Sequence, residues 1–179
     1  MCFTLSRTSA LDAIEGPGGR GRLGSRALPG PDFKGTIDVV RGRLSDSRAA
    51  QIVDFWALRR PLSPEAAARR LAEVVCIALD EDSAIAGVGS VGAEDLDALD
   101  GRSYWMFRSV LGPAPVAGAE EAMARAAYEV LAAEFDPDAG GPVGLCVRTA
   151  DAVAWSDSPL AQVGELPDGR RLLVARFAG

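Results

Sequence analysis

Past residue 35 the apolar positions fall into two rhythms, an alternating or continuous run of strand length and a spacing of three to four residues. TIDVV (36–40) is short and β-branched, which predicts a strand. SDSRAAQIVDFWALRR (45–60) sets Ala49, Ile52, Val53 and Trp56 at helical spacing behind Ser45 or Asp46 as N-cap. SPEAAARRLAEV (63–74) predicts a second helix, with Ser63 as cap, Pro64 at the first helical position and Glu65 facing the positive end of the helix dipole. VVCIALDED (74–82) and SAIAGVGSVG (83–92) are apolar runs joined by an acidic turn and read as an antiparallel hairpin.

A polar loop, AEDLDALDG (93–101), leads to an aromatic strand, RSYWMFRSVL (102–111). GPAPVAGAEEAMARAA (112–127) then runs from a Pro-punctuated turn into a helix at Glu120 to Phe135, with Met123, Ala126, Ala127, Val130 and Leu131 on one face. In GPVGLCVRTAD (141–151) the run Val143 to Arg148 is short and mostly apolar, as a central strand requires. A short helical segment is expected around Ala152 to Ala161, and VGELPDGRRLLVARF (163–177) reads as a hairpin turning at Pro167, Asp168 and Gly169. The order β, α, α, β, β, β, α, β, (α), β, β predicts a mixed α/β (α+β) fold, a mostly antiparallel sheet flanked by helices with a strand-loop-helix crossover at its centre.

Composition narrows this picture more than it enlarges it. The stretch GPGGRGRLGSRALPGPD (16–32) has too little apolar surface to offset the entropy of ordering, so residues 1–32 are expected to form a flexible tail and 33–179 one domain. The chain has 19 basic and 25 acidic residues, a net charge of −6, which argues against a grip on nucleic acid or an anionic membrane. Lys34 is the single lysine among many arginines, a skew typical of GC-rich bacterial genomes. Cys2, Cys76 and Cys146 are odd in number and widely spaced, which fits neither a disulfide framework nor a metal site, and a cytoplasmic setting is expected. The start of the sequence lacks the charged-then-apolar pattern of a secretory signal.

The strand RSYWMFRSVL, the turn and helix GPAPVAGAEEAMARAAYEVL, the following strand GPVGLCVRT and the closing hairpin resemble, in order and position, the GNAT superfamily of N-acetyltransferases over roughly Thr36 to Phe177. The resemblance implies acetyl-CoA or another acyl-CoA as co-substrate, no metal, a pantetheine arm along Val110 and Leu111, and a pyrophosphate over Val116, Ala117, Gly118 and Ala119. Members carry Gln or Arg, two residues, Gly, one residue, then Gly or Ala at this turn. Aligned on Gly118, those outer places hold Pro115 and Glu120.

Both departures have physical consequences. A helix start attracts anions through free N–H groups and the dipole, an effect of about 0.3–1 kcal/mol. Pro115 removes one donor. A carboxylate about 6 Å from a phosphate charge costs roughly 3 kcal/mol at an effective dielectric near 20. If Glu120 or Glu121 points inward, repulsion therefore wins; if both face solvent, they only complement the dipole.

Amine acylation needs a base for the ammonium, and the resemblance implies an acid, often Tyr, just after the strand that follows the cofactor helix. That place is CVRTADAVAWSDSP, with Ser156 and Ser158 but no Tyr; Tyr104 and Tyr128 lie elsewhere, and the chain has no His. Candidate bases are Glu94, Asp95 and Asp97 in the loop, or Asp151, all of which equally suit a solvated loop. Cys146 reads as a small core residue, since no His stands beside it as a base. Arg108 stands out on an apolar strand and must face a cleft, a carboxylate or solvent. Trp56, Trp105 and Phe107 read as core or as walls of an acceptor pocket. The expected function is N-acylation of a small-molecule amine by an acyl-CoA. The alternatives are a related fold that has lost CoA-dependent transfer and binds or converts a specialised metabolite, and a homodimer built on a sheet edge or on the tail.

Overall fold

The computed structural model describes residues 33–59, 62–97, 99, 101–113, 116–150, 155 and 158–178. The expected tail, Pro115, Asp151 and Ser156 lie outside them. Seven strands form one sheet: β1 (Thr36–Val39), β2 (Val74–Leu79), β3 (Ile85–Asp95), β4 (Ser103–Leu111), β5 (Gly144–Thr149), β6 (Ala161–Glu165) and β7 (Arg171–Arg176). Their order across the sheet is β1-β2-β3-β4-β5-β7-β6. Every neighbouring pair is antiparallel except β4 and β5, which run parallel. Parallel neighbours need a crossover, and here it is helix α3 (Ala119–Glu134). The fold is thus the mixed, mostly antiparallel α/β architecture that the order of elements predicts.

Helices α1 (Asp46–Ala57) and α2 (Pro64–Ala72) begin where their capping residues place them. The Ser45 hydroxyl accepts from the Arg48 amide and the Ser63 hydroxyl from the Ala66 amide. They cover one face of the sheet through Ile52, Trp56, Val74, Ile77 and Val88. Tyr104, Met106, Cys146 and Val174 form a smaller cluster with Leu96 and Leu99; strand alternation puts Met106 on the face of Val110, which packs in the first of these clusters. The opposite face carries α3 and the largest core, including Val91, Phe107, Met123, Leu131, Leu145 and Val147. Gly87 lets α3 approach, since a Cβ there would stand 2.9 Å from Met123 Cε, and Gly89 makes room for Phe107 and Cys76, from which a Cβ would stand 2.8 and 2.9 Å. Gly89→Val is accordingly expected to lose about 1–3 kcal/mol by overpacking, read as a lower urea midpoint; an unchanged midpoint would show that Phe107 yields without cost.

Two boundaries differ from the sequence reading. β3 continues to Asp95 because β4 offers a partner throughout, with Ala93 opposite Trp105, Glu94 opposite Tyr104 and Asp95 opposite Ser103. Glu94 and Asp95 are therefore strand residues and not loop residues. Of the helical segment expected around Ala152 to Ala161, residues 152–154, 156 and 157 lie outside the described residues, while Trp155 and 158–160 are not helical and Ala161 opens β6 opposite Val174. No helix among the described residues is long and apolar enough to cross a membrane.

Candidate functional site

The parallel pairing of β4 with β5 covers only Trp105 with Leu145, Met106 with Cys146 and Phe107 with Val147. Beyond Phe107, β4 continues alongside β3 alone, and beyond Val147, β5 continues alongside β7 alone. The two strands thus part at their C-terminal ends, leaving a cleft of about 370 Å³. Met106, Phe107, Arg108 and Ser109 of β4 line it, together with Arg148 of β5, Glu120 of α3 and Arg170 of the last hairpin.

Glu120 lies across the opening. Gly118, in the left-handed conformation with φ 74°, is the N-cap of α3 and supplies no side-chain cap, so the chain turns sharply into the helix. The Glu120 carboxylate then accepts from the Ser109 hydroxyl at 2.5 Å with one oxygen and from the Thr149 hydroxyl at 3.2 Å with the other. It therefore joins the diverging ends of β4 and β5, and among the described residues no basic side chain pairs with it. Glu121 is buried as well, its carboxylate 3.1 Å from Arg125 Nη2 one turn along. Of the two alternatives, the structure gives neither acid to solvent: Glu120 is held at the cleft and Glu121 inside the core.

On the opposite face of the sheet four charges form an open chain, Glu73–Arg108–Glu94–Arg148. Arg108 donates to Glu94 at 2.6 Å and to Glu73 at 3.4 Å, while Arg148 donates to the second Glu94 oxygen at 3.3 Å. Gly92 makes room, since a Cβ there would stand 3.1 Å from Arg108 Nη1. Of the outcomes open to Arg108, the structure thus brings it to carboxylates, on the strand β3 and at the end of α2, beside the cleft. Glu94, a candidate base, is shared between two guanidiniums. Asp95 and Asp97 are exposed.

The residues expected to hold a cofactor are divided by the sheet. Val110 packs with the α1 and α2 side, and Leu111 and Val116 pack with the α3 core. Ala117 is exposed and Ala119 buried, and the Ala119 amide is already donated to the Val116 carbonyl at 3.1 Å. Cys146 is fully buried, and desolvation pushes its thiol up to about 12. Tyr104 is buried in the small cluster, and the half-buried Tyr128 donates to the Arg176 carbonyl at 3.2 Å, burial raising its pKa. Trp56 is core, Trp105 lies under the Arg41 guanidinium at 5.1 Å, and Phe107 is both core and cleft wall. The Ser158 hydroxyl accepts from the Leu160 amide in a local turn.

Sequence reasoning missed Ser109, Thr149, Arg148, Arg170 and Glu73. Ser109 and Thr149 carry a faint signal, as polar residues within or at the end of mostly apolar strands. Arg170 and Glu73 carry none, because each meets the site from another element.

No protein-family model matches the chain, and no curated protein matches it in sequence. A solved structure similar to it is that of an acetyltransferase from Trypanosoma brucei, 18% identical, with a TM-score of 0.39, covering 69% of this chain and 86% of that one. What the cleft does is therefore read from its own residues.

Proposed function

We propose that the cleft between β4 and β5 binds a small amine-bearing molecule and is not a seat for the diphosphate of an acyl-CoA. The chain then has an N-acetyltransferase-like architecture without CoA-dependent transfer. The position of Glu120 carries this reading. A diphosphate at the start of α3 would meet a carboxylate fixed by two hydroxyls, at a cost of roughly 3 kcal/mol against about 0.3–1 kcal/mol of helix-terminus attraction. Displacing the carboxylate would also sacrifice two hydrogen bonds, each worth about 0.5–1.5 kcal/mol net.

The charges of the cleft favour a cation. Arg108 and Arg148 are answered by Glu94 and Glu73, and Arg170 by Asp168 at 2.5 Å. Among the described residues, the Glu120 carboxylate accepts from two hydroxyls and pairs with no basic side chain. An ammonium group, with three donors and a positive charge, complements that remainder.

Calorimetric titration tests the reading. Acetyl-CoA at millimolar concentration is expected to give no heat and no change in melting with the natural chain. Glu120→Gly is expected to raise CoA affinity on the order of 100-fold, the equivalent of the repulsion removed. Stabilisation of the natural chain by acetyl-CoA, about 2.7 kcal/mol at 100 times the dissociation constant, would overturn it. That outcome would support the second reading, acyl transfer from an acyl-CoA to a small-molecule amine, which the parting of β4 and β5 favours.

A further inference from the structure

The guanidiniums of Arg108, Arg148 and Arg170 line the cleft between β4 and β5, and they are not held alike. Arg108 donates to Glu94 at 2.6 Å and to Glu73 at 3.4 Å, while Arg170 meets Asp168 through Nε at 2.7 Å and through Nη2 at 2.5 Å. Arg148 has one partner among the described residues, the second oxygen of Glu94 at 3.3 Å, and that carboxylate already holds Arg108 more closely. Most of the Arg148 N–H donors are thus unused among the described residues, and its side chain is 38% exposed. It ends the chain Glu73–Arg108–Glu94–Arg148 with a positive charge. Strand alternation sets Arg148 on the face opposite Thr149 and Arg108 on the face opposite Ser109, so Arg148 and Glu120 line one cleft from the two faces of the sheet.

We infer that the ligand of this cleft is a linear amino carboxylate with its charges at opposite ends, the ammonium at Glu120 and the carboxylate at Arg148. The inference rests on the reading of Glu120 as an ammonium site and adds the second end of the molecule. A carboxylate offers a planar pair of oxygens to the guanidinium fork, a charge-assisted contact stronger than that of a neutral acceptor. It also continues the alternation of charge beyond Arg148, where a second cation would meet repulsion. Between the two ends the cleft wall includes Met106 and Phe107, which suit methylene groups. An α-amino acid, with both groups on one carbon, would bring its carboxylate to the Glu120 face, where repulsion opposes binding. The volume of about 370 Å³ is within the range of pockets that take small ligands.

The test is calorimetric titration of the full chain with 6-aminohexanoate, with hexylamine, which keeps the ammonium alone, and with 2-aminohexanoate, which holds both charges on one carbon. 6-Aminohexanoate is expected to bind about tenfold more tightly than hexylamine, the scale of one charge-assisted hydrogen bond, and 2-aminohexanoate more weakly than hexylamine. Arg148→Gln is expected to erase the advantage of 6-aminohexanoate without weakening hexylamine, whose binding also shows that the variant folds. Glu120→Gln is expected to weaken both linear amines. If hexylamine binds and 6-aminohexanoate binds no more tightly, the inference fails while the ammonium site at Glu120 stands. An advantage of 6-aminohexanoate that survives Arg148→Gln, a loss of hexylamine binding in that variant, or 2-aminohexanoate binding as tightly as its linear isomer overturns the inference as well. If hexylamine does not bind, or binds Glu120→Gln undiminished, the amine reading and the inference fall together.

Discussion

Glu121→Ala is expected to cost about 3–5 kcal/mol of stability, the range for removing one member of a buried ion pair. The Glu121 side chain is only 3% exposed and that of Arg125 19% exposed, and the Arg125 Nε–H has no hydrogen-bond partner among the described residues. Alanine would leave a guanidinium in the core of α3 with its nearest anion gone, and the desolvation already suffered would go uncompensated. Replacing both residues by leucine should recover most of the loss, because no charge remains buried. Urea unfolding with a shared m-value distinguishes the variants. A single-variant loss below about 1 kcal/mol would mean that water reaches the pair. The pair also anchors the turn of α3 that carries Glu120, so a loosened start of α3 should weaken the Glu120 contacts to Ser109 and Thr149.

Cys76 and Cys146 are expected to react with iodoacetamide at pH 8 on the order of 10³ times more slowly than an exposed cysteine, because the thiolate is the reacting form. Burial pushes both thiols up to about 12, and Cys76 further donates to the Met123 carbonyl at 3.4 Å. With Cys2→Ser removing the third thiol, the rate at the two core cysteines can be read directly by mass. Rapid labelling of Cys146 in the folded chain would show that its thiol is accessible and overturn its reading as a core residue. The same shift couples to stability. In the unfolded chain these thiols ionise near their ordinary value of about 8.5, so the benefit of keeping them neutral is complete below that pH. It is lost progressively as pH rises towards 12, and stability should fall across that window.

The local structure was largely legible along the chain. Ser45 and Ser63 cap the helices that their spacing predicted, the apolar runs at 74–79 and 144–149 became interior strands, and the Pro-Asp-Gly turn closed the last hairpin with Gly169 at φ 79°. These outcomes rest on interactions within a few residues, where capping, φ preference and periodicity act directly. The end of β3 was not legible, since Ala93, Glu94 and Asp95 read as a polar loop until β4 supplies their ladder partners. Glu94 in particular changes from a loop acid to the shared partner of Arg108 and Arg148.

The sequence by itself determined helices α1 to α3, the bodies of the strands, the crossover through α3 and the presence of two acids in its first turn. Where those acids point was decided by tertiary structure. Glu120 is drawn to the cleft by Ser109, eleven residues away, and by Thr149, twenty-nine away, and these meet only because β4 and β5 pair for three residues and then part. A carboxylate's position depends on donors and charges brought together from separate strands, and their distances are fixed by sheet register and helix packing, which no local pattern encodes.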